Sequence, residues 1–306
     1  MKLSLLFLLL AIALPHSVHA QAAYAIVDNT TGLILESSSA TKKLQIASLT
    51  KIATAMVVLD WAEARGQDVG QMATVPASAA DLSTPGGIGF QVGDRCSLRD
   101  LLYAAMMQSD NQAAETLAFH VGGALGRGNL PPADEFVAQM NALARRLEMT
   151  RTRFLNAHGL DNLERAVPYS TAEDLAKLTR YAMGQSAFRF YVSQKERKIT
   201  YESATGEASS YLLRNTNQLV GVNDIDGVKT GTTRKAGQCL IVSAAKPPDS
   251  RQVGEKHIIT PRRVDVIVLG SEDRFNDASR LMQRGWQLYD SWAAAGRPLK
   301  GWKAAR

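Results

Sequence analysis

Ile46-Ala47-Ser48-Leu49-Thr50-Lys51 heads an apolar-periodic run, Leu49, Ile52, Ala53, Met56 and Leu59, and its reading decides how the chain is arranged. The i, i+3, i+4 spacing predicts an amphipathic helix running to about Trp61. Residues three apart share a helix face, so Ser48 and Lys51 project side by side. A hydroxyl is a weak nucleophile unaided, and an unprotonated amine beside it can take its proton. A helix start also offers free backbone N–H groups to a developing oxyanion. Taken alone, the tetrad also fits an N-cap serine followed by a solvated lysine. Other stretches must decide.

Upstream, Lys2 precedes an apolar run from Leu3 to Leu14, and Val18-His19-Ala20 forms a small-residue cleavage site. This is the pattern of a secretory signal peptide over residues 1–20, its apolar core too short to span a bilayer. A periplasmic or secreted protein is expected, with no nucleic acid to meet. The 306 residues carry a formal net charge of +6 and are 45% hydrophobic, a core-forming composition. The positive balance is diffuse; it suits an anionic wall or membrane surface without specifying one. Two cysteines, Cys96 and Cys239, exclude a disulfide scaffold and leave one bridge open. His120, His158 and His257 lie far apart, so neither a metal site nor a cofactor is expected.

Downstream and upstream of the Ser48 helix the chain changes character. Tyr24 to Asp28 and Leu33 to Glu36 read as strands joined by the turn Asn29-Thr30-Thr31-Gly32. A long middle section is mainly helical: Ser97 caps one helix, Gln112 to His120 forms another, Asp134 to Met149 a third, and Ser170-Thr171 caps a fourth. Val228 to Thr232, Cys239 to Ala245 and Val264 to Leu269 return to strand, and a last helix covers Asp277 to Trp292. Lys246 to Arg263 reads as a long polar surface loop. The economical arrangement is an α/β (α+β) fold: one antiparallel five-stranded sheet from both chain ends, with flanking helices and an all-helical lobe. The sheet lobe takes residues 21–65 and 220–295, the helical lobe 66–219, and a basic tail 296–306. A cleft between lobes is the place for a site.

Two stretches would line that cleft. Ser109-Asp110-Asn111 falls between helices, where Ser109 can relay a proton and Asn111 can hold an amide; a capping turn is the alternative. Lys229-Thr230-Gly231-Thr232 lies on a strand, with Lys229 and Thr230 suited to a carboxylate and Gly231 leaving room for an extended peptide. The alternative is an edge-strand lysine retained for solubility.

In this order, Ser-x-x-Lys, Ser-Asp-Asn and Lys-Thr-Gly form a known set. With Phe154 to Leu160, Tyr169 to Ala172 and Asp226-Gly227-Val228 beside them, the chain resembles the low-molecular-mass penicillin-binding proteins, the serine-type D-Ala-D-Ala carboxypeptidases and DD-endopeptidases. The resemblance runs from about Tyr24 to Trp292 and implies a β-lactamase/transpeptidase-like fold. It implies Ser48 as acylated nucleophile, Lys51 as base, Ser109 as proton shuttle, and Asn111, Lys229, Thr230, Gly231 and Thr232 as substrate-binding residues. The N–H groups of Ser48 and Thr232 would form the oxyanion hole. Repulsion from Lys229, aided by burial, would lower the proton affinity of Lys51. Asp174 would pair with Arg214, and His158 would be structural. An arginine that some carboxypeptidases place before the last helix falls at Asn276, with Arg274 two residues earlier.

Peptidoglycan stem peptides and covalently bound β-lactams are the implied partners, without membrane contact. The chain ends at Arg306 soon after the last helix, which favours the unanchored endopeptidase branch. A β-lactamase shares the three motifs, but no Glu-x-x-Leu-Asn stretch lies between Asn111 and Lys229. A non-catalytic β-lactam or wall-peptide binder is the remaining alternative.

Overall fold

The computed structural model describes residues 23–83, 86–126, 130–161, 168–300 and 302. The expected signal peptide, Pro85, and most of the tail beyond Lys300 lie outside the described residues. In chain order the elements are β1 (Ala23–Asp28), β2 (Ile34–Ser38), α1 (Lys51–Arg65), β3 (Met72–Thr74), β4 (Arg95–Ser97), α2 (Leu98–Tyr103), α3 (Asn111–Leu125), α4 (Pro132–Arg146) and α5 (Ala172–Gly184). There follow α6 (Ser186–Val192), β5 (Glu196–Glu202), β6 (Ala208–Arg214), β7 (Ile225–Thr233), β8 (Gly237–Val253), β9 (Lys256–Ser271) and α7 (Arg274–Ala294).

Five strands form an antiparallel sheet in the order β2-β1-β9-β8-β7, so both chain ends contribute to it, as the strand signals imply. Its central strands are rich in Val and Ile because both faces are covered. Val242, Val264, Val266 and Val268 pack with Trp286, Tyr289 and Trp292 of α7. Ala25, Val27, Ile241 and Ile267 face the other way, toward α1 and α5. α1 is therefore buried on nearly every side, from Lys51 through Leu59, and is not the half-exposed helix its spacing suggests.

Two parts of the sequence reading change. The lobe expected to be all helical also holds a four-stranded sheet, β3-β4-β5-β6. Its long pair, β5 and β6, buries only Ile199 and Leu213 fully, so neither strand carries the apolar alternation that announces one. Lys246 to Arg263 is not a loop: β8 and β9 continue past the sheet as a two-stranded hairpin, pairing Ser250 with Ile259 and Val253 with Lys256. Pro247, Pro248 and Pro261 break the strand pattern in the sequence, yet the two prolines of β8 fall where the register shifts between Lys246 and Asp249. Cys96 and Cys239 are free and buried on separate sheets, and burial pushes their thiols up to about 12 and about 11.

No helix among the described residues is long and apolar enough to cross a membrane.

Candidate active site

Ser48 sits in a short 3-10 turn, Ala47–Thr50, one step ahead of α1. Ala47 takes φ 48°, a left-handed conformation that a non-glycine residue holds only when its surroundings enforce it. The enforcing neighbour is Gly159. A Cβ placed there would lie 2.0 Å from Ala47 O and 2.8 Å from Thr50 Oγ1, and Gly159 itself has φ +84°. The Asn156 side chain accepts from the N–H groups of His158 and Gly159, which fixes this loop under the serine turn.

Lys51 is fully buried, and its Nζ stands 3.0 Å from Ser48 Oγ, 2.7 Å from Asn111 Oδ1 and 2.8 Å from His158 O. The last two partners accept only, whereas the serine hydroxyl can donate. A neutral amine satisfies all three: two N–H groups go to Asn111 and His158, and the lone pair receives the serine proton. Burial lowers the Lys51 pKa to about 7, against the pull of Asp110. The sequence reading assigned this lowering first to Lys229; here desolvation is the main cause, and the repulsion registers on Lys229 instead. Lys229 is held well below its ordinary value by burial, then by Lys51 and Arg274.

The π-helical turn Ala104–Gln108 ends at Ser109, which is left-handed at φ 63°. Asp110 then caps α3 by accepting from Ala113 N, and it also accepts from Ile88 N. This arrangement delivers Asn111 to Lys51, while Ser109 remains half-buried at the turn. On β7, Lys229 Nζ donates to Thr230 O, and the hydroxyls of Thr230 and Thr216 lie 2.7 Å apart. Thr216 also donates to Met107 O, tying β7 to the Ser109 turn. β7 passes so close to the serine turn that a Cβ on Gly231 would meet Ile46 O at 3.0 Å and Ser48 N at 3.1 Å.

The structure thus gathers Ser48, Lys51, Asn111 and Gly231 within a few ångströms, with Lys229 near enough to Lys51 for their charges to repel, Thr230 beside it on β7 and Ser109 on the turn before α3. Thr232 is exposed at the end of β7. Arg274, left off the sequence-derived site, donates to Gly231 O at 3.1 Å and Thr232 Oγ1 at 2.7 Å. Asn276, the aligned arginine position, is turned onto Asp273 instead. The signal for Arg274 was its place at the first turn of α7; its reach to β7 was not legible. Thr216 was missed altogether, since nothing local distinguishes it from other threonines.

His158 is neutral, its pKa lowered to about 3 by burial and by Lys51, and its carbonyl serves Lys51. The expected Asp174–Arg214 pair is absent. Asp174 is buried in the first turn of α5, donates its N–H to the capping Thr171 Oγ1, accepts from Arg151 N and Thr152 Oγ1, and pairs with Lys177. Arg214 is exposed and pairs with Glu196 across β5 and β6. Strand pairing of β6 with β5 puts that acid directly opposite the arginine, nearer than anything on α5.

Among the described residues no group of His, Cys, Asp and Glu is arranged to hold a metal ion.

The D-alanyl-D-alanine carboxypeptidase family profile matches residues 11–253. D-alanyl-D-alanine carboxypeptidase DacC of Escherichia coli K12 is 31% identical over 277 residues, covering 88% of this chain and 62% of that protein. The D-alanyl-D-alanine endopeptidase of the same organism is 32% identical over 276 residues, covering 85% and 75%. Of the first curated relatives, all carboxypeptidases, the chain spans under two thirds of the length, 62 to 65%. The crystal structure of the Streptomyces K15 DD-transpeptidase superposes with a TM-score of 0.74 at 28% identity, covering 88% of this chain and 97% of that one. Penicillin-binding protein D2 of Listeria monocytogenes, in its cefotaxime-bound form, superposes with a TM-score of 0.66 at 28% identity.

Proposed function

The chain belongs to the D-alanyl-D-alanine carboxypeptidase family, and from that premise we propose that it is a serine DD-peptidase of peptidoglycan, acylated at Ser48. The observation that carries the reading is the set of three contacts around Lys51 Nζ, in which only Ser48 has a proton to give. A pKa near 7 leaves a large share of the amine free at neutral pH without making it too weak a base.

In the proposed reaction an extended peptide runs along β7, its terminal carboxylate between Lys229, Thr230 and Arg274. The negative charge of that carboxylate favours uptake by Lys229 of a solvent proton that burial otherwise disfavours. Ser48 Oγ attacks the carbonyl of the penultimate D-alanine while its proton passes to Lys51. The N–H groups of Ser48 and Thr232 stabilise the oxyanion. Collapse breaks the C–N bond, and the proton moves from Lys51, through the Ser109 hydroxyl, to the leaving amine. Water then attacks the acyl ester, giving a proton to Lys51, which passes it to Ser48 Oγ as the ester C–O bond breaks and the acid leaves. β-Lactams would acylate the same hydroxyl. The leader-like segment from Lys2 to Ala20 supports export to the periplasm.

Release of a terminal D-alanine and cleavage of a D-Ala cross-link share every step above; relatives of both kinds are about equally similar. Incubation with penicillin followed by peptide mass mapping tests the reading: the adduct is expected on Ser48. An adduct elsewhere, or none, overturns it. Digestion of purified peptidoglycan then separates the two outcomes by whether dimeric muropeptides become monomers or pentapeptides become tetrapeptides.

A further inference from the structure

The residue that carries the relay hydroxyl, Ser109, also carries backbone strain. Its φ of 63° is the left-handed value of a residue that ends a helix, where glycine is the usual choice. Glycine would bring no hydroxyl, so a serine retained there needs neighbours that enforce the turn. Most of the turn is anchored through its main chain. Met107 O accepts from Thr216 N at 2.9 Å and from Thr216 Oγ1 at 3.1 Å. Ser109 N and Asp110 N both donate to Ala104 O, and the Asp110 carboxylate accepts from Ile88 N and Ala113 N. Among the described residues the Ser109 hydroxyl has no hydrogen-bond partner, which leaves it available to the reaction.

One side chain of the turn reaches outward on both sides. Gln108 Nε2 donates to Gly86 O at 2.9 Å, and Gln108 Oε1 accepts from Arg214 N at 3.0 Å. A carbonyl can only accept and a main-chain N–H can only donate, so the amide fits one way round. Gly86 belongs to the loop that leads to Ile88, and Arg214 ends β6. Gln108 therefore fastens a loop and a strand to the residue directly before Ser109. The loop needs fastening: Gly86 and Gly89 take φ +77° and +78°, and a Cβ on either would meet open space. Tyr211 OH also reaches Gly86 O, at a longer 3.3 Å.

We propose that Gln108 is a positioning residue, whose bridge between Gly86 O and Arg214 N holds Ser109 in its left-handed turn with the hydroxyl placed for proton relay. The assignment rests on the peptidase reading, in which Ser109 passes a proton from Lys51 to the leaving amine. Gln108 acts on the reaction only through Ser109. A displacement of about 1 Å at a reacting group can cost on the order of a hundred-fold in rate, and loss of one anchor among several should cost about ten-fold.

The test measures acylation of the full chain by a fluorescent penicillin in stopped flow. Gln108→Met keeps the length of the side chain and removes both bonds. Gln108→Glu keeps the acceptor for Arg214 N and sets an anionic oxygen against Gly86 O; it carries the test should Gln108→Met fail to fold. Each is expected to lower the limiting rate about ten-fold and to leave the non-covalent dissociation constant within about two-fold. The midpoint of the pH profile should stay near pH 7, because Lys51 keeps Asn111 and His158. In a Ser109→Ala background the same substitutions should change the rate by less than about two-fold, since no hydroxyl remains to be placed. A rate indifferent to both substitutions, an equal loss in the Ser109→Ala background, or a shifted midpoint overturns the proposal while the peptidase reading stands. A wild-type protein that forms no Ser48 adduct overturns the peptidase reading and this role with it.

Discussion

Asn111→Asp is nearly isosteric and places a carboxylate where an amide oxygen now lies 2.7 Å from Lys51 Nζ. The wild-type amine, with its pKa near 7, is about half free at pH 7 and about 1% free at pH 5. The second-order rate of acylation by a fluorescent penicillin should therefore rise about 50-fold between those pH values and level off above pH 8. An anion in contact with an ammonium group raises its pKa by about 1 to 3 units. The variant's free-amine fraction at pH 7 then falls to between about 9% and 0.1%, so acylation there should drop at least five-fold and recover as pH approaches 9 or 10. Stopped-flow or gel-based acylation rates from pH 5 to pH 10 measure both profiles. Losing the amide N–H lowers the plateau but does not move the midpoint, so the midpoint is the test. A variant midpoint unchanged from wild type, or a wild-type profile flat across pH 7, would refute the assignment of Lys51 as base.

Burial, then Lys51 and Arg274, hold Lys229 toward its neutral form, so binding a peptide carboxylate there should take up a proton. Calorimetry of Ser48→Ala protein with a D-Ala-D-Ala peptide, in buffers of different ionisation enthalpy at pH 8, should give a slope of that sign, and the slope should vanish in Lys229→Met. Gly159→Ala should destabilise the fold by on the order of 3 kcal/mol or more, because its Cβ would meet Ala47 O at 2.0 Å at a left-handed φ. Chemical denaturation checks this; a loss under about 1 kcal/mol would mean the serine turn does not depend on that close approach.

How much of this was legible beforehand follows from which interactions are local. Ser48 and Lys51 are three residues apart, and their contact is a matter of helical spacing that a sequence displays directly. Strands β1, β7 and the central parts of β8 and β9 carry β-branched runs because the sheet buries them on both sides. The projecting hairpin and the β5–β6 pair bury little, so their strand character comes from cross-strand hydrogen bonds that leave no hydrophobic signature.

The sequence by itself determined the order of the motifs, the strand content of both chain ends and the residue types able to do acyl transfer. Only the tertiary structure decided that Arg274 reaches Gly231 while Asn276 turns away, that Arg214 meets Glu196 and not Asp174, and that burial sets the Lys51 pKa. Each of these depends on distance or on exclusion of water. Both are properties of chain segments packed together, and no single segment encodes them.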